Sequence, residues 1–210
     1  MTFSNTTLKQ LFPTPLVMAT LPPDIVANIK RDLVPIILQK SKREATKNIT
    51  NIGGWQSDTR ITEWGGESVR IIVNALLELI EQNTMNLLNP SFALNTKWIV
   101  NGWANVNRQG HYNVPHLHAG SYWSAIYYVQ IDDTEGGELE ITDPRGALPI
   151  MAQPQLRYSA PECRSCGGFE LHQPQNGQCL LFPSWLTHAV RPYKGQGTRI
   201  SLAFNFAVGN

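Results

Sequence analysis

Three of the five histidines in this 210-residue chain are placed where they could act together. His116 and His118 are spaced i, i+2, and in a strand that spacing turns both imidazoles to one face, offering two neutral nitrogen donors of the kind that bind transition metals. His188 lies seventy residues further on, just past the apolar run Gln178 to Trp185, where a sheet could bring it opposite the pair. Eleven residues later Arg199 opens the run RISLAFNF. In a strand, Arg199, Ser201, Ala203 and Asn205 share one face, and Ile200, Leu202, Phe204 and Phe206 the other. A guanidinium on that polar face could hold a carboxylate through two parallel hydrogen bonds. Taken singly, each histidine also fits an ordinary surface position, and the last strand fits one with a wet face. The joint pattern points to a metal beside a carboxylate-binding arginine.

The elements that must position these groups divide the chain in two. Residues 1–94 read as a mostly helical N-terminal layer. Apolar spacing behind Pro22-Pro23 predicts a helix over Asp24 to Lys40, kinked or divided at Pro35. A second helix is predicted over Ser68 to Leu88, with Ile72, Leu76, Leu79 and Ile80 on the face that packs on a sheet. Between them, Asn51 to Gly66 reads as a Gly-rich loop carrying Trp55 and Trp64. From residue 95 to 210 the period changes to two. Strands are expected over Thr96–Arg108, Tyr122–Gln130, Glu138–Ile141, Gln178–Phe182 and Thr198–Phe206, separated by Gly, Pro, Asn and Asp clusters. The reading is one domain, mainly β with N-terminal helices, its strands forming a jelly-roll or cupin-like barrel. Asn105 and Asn107 alternate on the strand before the histidine pair and could line the same cavity. Trp55, Trp103, Trp123 and Trp185 could border a substrate pocket or serve as packing.

A formal charge of +1 with 16% charged residues gives no nucleic-acid-binding patch, and no apolar run reaches the length of a membrane helix. The start, MTFSNTTLKQLF, has neither a basic nor an apolar leader segment, so a cytoplasmic location is expected. A homodimer is compatible with this composition, which offers no interface for it. Cys163-Arg164-Ser165-Cys166, with His172 nearby, could hold zinc or form a redox pair, or be two loop thiols.

The pattern His116-x-His118, His188, Arg199-x-Ser201 resembles the H-x-D/E, H, R-x-S signature of the Fe(II)- and 2-oxoglutarate-dependent oxygenases. Ile126 to Val129 and Gly136-Gly137-Glu138-Leu139 look like the tyrosine strand and Gly-Gly turn of the prolyl-hydroxylase branch. Trp103-Ala104-Asn105, Pro115-His116-Leu117-His118, Asp143-Pro144-Arg145 and Phe182-Pro183-Ser184-Trp185 are similar to a group of uncharacterised bacterial and phage members with H-x-H. The resemblance implies a double-stranded β-helix with Fe(II) on His116, His118 and His188. It implies 2-oxoglutarate as cofactor and dioxygen as co-substrate, the distal carboxylate of the keto acid being held by Arg199, Ser201 and Tyr128, with Asn105 available to orient cofactor or substrate. The implied activity is a dioxygenase, oxidising an unknown substrate while 2-oxoglutarate is decarboxylated to succinate.

His118 stands where most members of that superfamily supply a carboxylate. Asp143, or an acid from the helical half, is an alternative ligand. Gly110 to His118 also fits the first cupin motif, so a three-histidine metalloenzyme that uses no keto acid is the second reading. A metal-free jelly-roll binding domain is the third.

Overall fold

The computed structural model describes residues 5–47, 49–85, 87, 96–146 and 168–209. Helix α1 (Pro23–Arg43) buries Ile29, Leu33 and Ile37, a series of i, i+4, i+8 on one face. The expected break at Pro35 does not divide it. Pro35 and Arg31 both lie on the exposed side, so the Arg31 carbonyl, whose helical donor a proline cannot supply, can bond water instead. After the short α2 (Ile61–Trp64), helix α3 (Gly66–Asn83) buries Val69, Ile72, Leu76 and Ile80. It stops before Leu88 because Thr84 turns extended, its hydroxyl donating back to the Ile80 carbonyl at 2.6 Å.

Among the described residues, eleven strands form two sheets, and every strand-to-strand pairing is antiparallel. The larger sheet contains β1 (Val17–Thr20), β3 (Trp55–Gln56), β4 (Trp98–Asn107), β6 (Trp123–Ile131), β9 (Gln178–Pro183) and β11 (Arg199–Val208), in the order β1-β9-β6-β11-β4-β3. The smaller contains β2 (Asn51–Ile52), β5 (Tyr112–His116), β7 (Leu139–Thr142), β8 (Phe169–His172) and β10 (His188–Val190), in the order β2-β5-β10-β7-β8. The fold is a jelly roll, mainly β, with the helices against the larger sheet. The segment Asn51 to Gly66, expected as a loop, supplies β2, β3 and α2, so the N-terminal part contributes strands to both sheets as well as helices.

Alternation along β11 explains the layering. Ile200, Leu202, Phe204 and Phe206 join Tyr127 and Val129 of β6 and the apolar stripes of α1 and α3 in the main core. Each of those phenylalanines, fully buried, contributes about 1.5–3 kcal/mol. The opposite face of the sheet is also buried, against a smaller cluster that includes Tyr128, Ile131, Leu139, Phe182 and Leu186. The polar face of β11 is therefore not wet. A bulge shifts the register of β6 against β11 between Ile200 and Ser201, setting Ser201 opposite Tyr128 while Arg199 stays opposite Ile131.

Candidate metal centre and carboxylate pocket

Cross-strand register joins two of the three histidines. His116 ends β5 and pairs with His188, the first residue of β10, so their rings lie 4.4 Å apart between centroids. His116 Nδ1 donates to the Val114 carbonyl at 2.7 Å and His188 Nδ1 to the Leu186 carbonyl at 2.9 Å. A carbonyl only accepts, so each Nδ1 carries the proton and each Nε2 keeps a free lone pair.

His118 arrives by another route. The strand ends at His116, so the i, i+2 argument does not place it. Its main-chain N–H donates to the Ser184 carbonyl at 2.9 Å, and its carbonyl accepts from the Ser121 N–H at 3.3 Å. The ring sits edge-on to Trp103 at 5.5 Å and lies 5.1 Å from both other imidazoles. One ligand nitrogen from each of the three histidines falls within 4.8 Å of the others, close enough to share one ion.

Burial makes these imidazoles poor bases. It pushes His188 down to about 3 and His118 down to about 4, each further lowered by the neighbouring His116, and it lowers His116 too. All three are neutral near pH 7, the form that binds metal. Among the described residues the cluster contains no carboxylate. Asp143, the alternative ligand, instead accepts from Arg145 Nη2 at 2.7 Å and from its main-chain N–H at 2.9 Å.

Arg199 is only 1% exposed. Nη1 donates to the Ser201 hydroxyl at 3.2 Å, while Nε and Nη2 have no hydrogen-bond partner. The guanidinium carbon lies 5.2 Å from the centre of the Tyr128 ring, and the buried Tyr128 hydroxyl interacts with the guanidinium without a hydrogen bond of ordinary geometry. Burial pushes that phenol up to about 12, against the pull of the nearby guanidinium, so it remains a donor at neutral pH. Gly137 closes the space behind the arginine. A Cβ there would lie 3.0 Å from Arg199 Cδ and 3.2 Å from Nε, and its φ of +70° is one that other residues rarely adopt. Orphaned donors on a buried cation are costly unless an anion meets them, so the pocket fits a carboxylate.

Arg199, Ser201, Asn105, Trp103 and the three histidines line one cleft between the sheets. Tyr128 belongs to the smaller core cluster on this side of the sheet, and Tyr127 to the helix-side core. The Asn105 amide oxygen is buried and unpartnered, whereas Asn107 packs beside Gly54 and does not line the cleft. Of the four tryptophans considered, only Trp103 borders it. Trp55 donates to the Glu44 carbonyl, Trp123 to the Thr84 hydroxyl, and Trp185 is exposed. His111 and His172 lie outside the cluster, bonded to the Arg108 N–H and to Gln178. Cys163 and Cys166 lie outside the described residues.

Sequence reasoning missed a buried hydroxyl network. Ser124 lies 2.8 Å from the Ser184 hydroxyl and donates to Asn205 Oδ1 at 2.9 Å, holding the turn whose Ser184 carbonyl anchors His118. One serine on a strand and one in a turn sixty residues later give no period that would pair them.

Residues 101–205 match the model of a family described as "Putative 2OG-Fe(II) oxygenase". No curated protein matches the chain. Among solved structures, a prolyl-4-hydroxylase from Pseudomonas putida is similar at 17% identity and a TM-score of 0.60, with 94% of each chain covered. A prolyl hydroxylase from Trichoplax adhaerens is similar at 13% identity and a TM-score of 0.60, over 91% of this chain and 83% of that one. HygX from Streptomyces hygroscopicus, solved with nickel, 2-oxoglutarate and hygromycin B, is similar at 12% identity and a TM-score of 0.56, over 92% and 83%. At these identities the structures establish the shared fold alone. The family match spans half of the chain and contains all three clustered histidines, Arg199 and Ser201, and this chain belongs to the 2OG-Fe(II) oxygenase family, whose cofactors are iron(II) and 2-oxoglutarate.

Proposed function

We propose that the chain is an Fe(II)- and 2-oxoglutarate-dependent dioxygenase, with His116, His118 and His188 as metal ligands and Arg199, Ser201 and Tyr128 as the seat of the keto acid's distal carboxylate. The observation that carries this reading is the buried Arg199 guanidinium, with two unpartnered nitrogens in the same cleft as three converging imidazoles. When bound, iron supplies the redox chemistry by which one oxygen atom enters succinate and the other a substrate carbon, with release of carbon dioxide.

The protein's own groups set the geometry. The Val114 and Leu186 carbonyls fix the tautomers of His116 and His188, so both present Nε2 to the ion. Arg199 fixes the far end of the keto acid by charge and by its planar fork, and Ser201 and Tyr128 add hydroxyl hydrogen bonds. Trp103 and Phe182 flank the histidines and limit water around them. Asn105, with its buried unpartnered oxygen, is placed to orient the keto acid or the substrate.

The absence of an acid from the cluster among the described residues favours, as a second reading, a three-histidine enzyme that uses no keto acid. One experiment separates the two. Purified chain with Fe(II), dioxygen and 2-oxoglutarate, offered a panel of metabolites and peptides, should release succinate in proportion to oxidised substrate. Substrate oxidation that proceeds equally well without 2-oxoglutarate would select the second reading.

A further inference from the structure

The charge balance of the cleft is unusual and rests on one residue. Among the described residues its lining contains one cation, Arg199, three imidazoles and no acid. Two acids, on β7 and just after it, are ion-paired: Glu140 with Arg191 at 2.5 Å and Asp143 with Arg145 at 2.7 Å. A divalent ion on the histidines would therefore face a buried guanidinium with no anionic ligand from the described residues. Like charges confined in a poorly screened cavity oppose each other's burial, and an anion touching both relieves both.

We propose that His118 makes metal and dicarboxylate binding mutually dependent, because the described residues bring no negative charge to the cleft and the bound keto acid supplies it. This rests on the ligand assignments proposed above and adds a property to them. The metal binds weakly alone. A dianion bridging the ion and Arg199 tightens it, and by thermodynamic reciprocity the metal tightens the dianion by the same factor. A carboxylate at position 118 would neutralise part of the ion's charge permanently and uncouple the two.

The test is calorimetric titration of the full chain with Ni(II), a redox-inert probe, alone and at saturating 2-oxoglutarate or pyruvate. Pyruvate keeps the chelating keto-acid end and lacks the carboxylate that would reach Arg199. In the unaltered chain, 2-oxoglutarate should tighten Ni(II) at least about tenfold, within the usual range for coupled sites, and pyruvate by about threefold or less. In His118→Asp, Ni(II) alone should bind more tightly than to the unaltered chain, and the 2-oxoglutarate effect should shrink to about threefold or less. Coupling under threefold in the unaltered chain, or equal coupling in His118→Asp, overturns the proposal. If that variant does not fold, the contrast between 2-oxoglutarate and pyruvate in the unaltered chain decides alone. His188→Ala separates the two levels. If it binds Ni(II) as well as the unaltered chain does, the ligand assignment itself is wrong, whereas loss of binding there with weak coupling elsewhere removes only the interdependence.

Discussion

Replacing Arg199 by methionine should leave folding stability unchanged or improved while sharply weakening keto-acid binding. The arginine is buried with Nε and Nη2 unpartnered, and its sole side-chain hydrogen bond is to Ser201 at 3.2 Å. Exchanging a buried ionic group for an apolar one of similar volume is neutral or stabilising by about 1–4 kcal/mol. Loss of the Ser201 bond returns about 1 kcal/mol of that. The net is about 0–3 kcal/mol in favour of methionine, or an unfolding midpoint unchanged or raised by up to roughly 9 °C at about 3 °C per kcal/mol. Truncating one member of a buried charge pair costs about 2–5 kcal/mol, so 2-oxoglutarate affinity should fall roughly 30- to 5000-fold. Calorimetric melting in the presence of a chelator gives the first quantity, and 2-oxoglutarate titration of the Ni(II)-loaded protein the second. A variant that melts more than about 5 °C lower, or keeps 2-oxoglutarate affinity within threefold, would refute the reasoning.

Gly137→Ala should cost about 1–3 kcal/mol in urea unfolding and weaken 2-oxoglutarate at least about fivefold, because the new methyl meets Arg199 in a left-handed backbone conformation. Unchanged affinity would mean the guanidinium need not sit where it does. Ser124→Ala should cost about 1–3 kcal/mol by stranding the Asn205 and Ser184 partners, and should lower metal occupancy through the turn that anchors His118. Full occupancy measured by metal analysis would limit that network to folding. Burial raises the Asp58 carboxyl, but the Trp64 indole N–H, the Arg60 main-chain N–H and the charges of Lys40 and Arg60 outweigh it and hold the group below its ordinary value. Its contribution to stability is therefore present above roughly pH 4 and is lost as pH falls through the lower folded value. Asp58→Asn should be less stable than the unaltered chain at pH 7, with the gap narrowing by pH 3. A gap that does not change with pH would contradict the ionic account.

The sequence carried the long elements because their periods are physical signals. The stripe Ile72, Leu76, Ile80 marks the buried face of α3 and the apolar–polar alternation marks β11 as a strand, so both were legible to within a few residues. Two-residue strands such as β2 and β3 contain no period, and Asn51 to Gly66 consequently read as a loop. Pro35 looked like a break because sequence does not reveal that its turn faces water. At the site, the histidine pattern picked out three residues that the structure brings together, though one of them by a different route. His116 meets His188 by strand register, but His118 is held by the Ser184 carbonyl, a contact between turns that residue spacing cannot encode. The bulge that sets Ser201 opposite Tyr128 was equally invisible, since it depends on how two distant strands pair.

The central claim is that three imidazoles and one guanidinium bind an iron ion and a keto acid in contact with each other. Its most direct test is the visible spectrum of the anaerobic chain with Fe(II), recorded before and after 2-oxoglutarate is added. The account predicts a new charge-transfer absorption that appears with 2-oxoglutarate, is absent with succinate, and is lost in His188→Ala. A spectrum that 2-oxoglutarate leaves unchanged, in protein shown by metal analysis to hold one iron per chain, would contradict it.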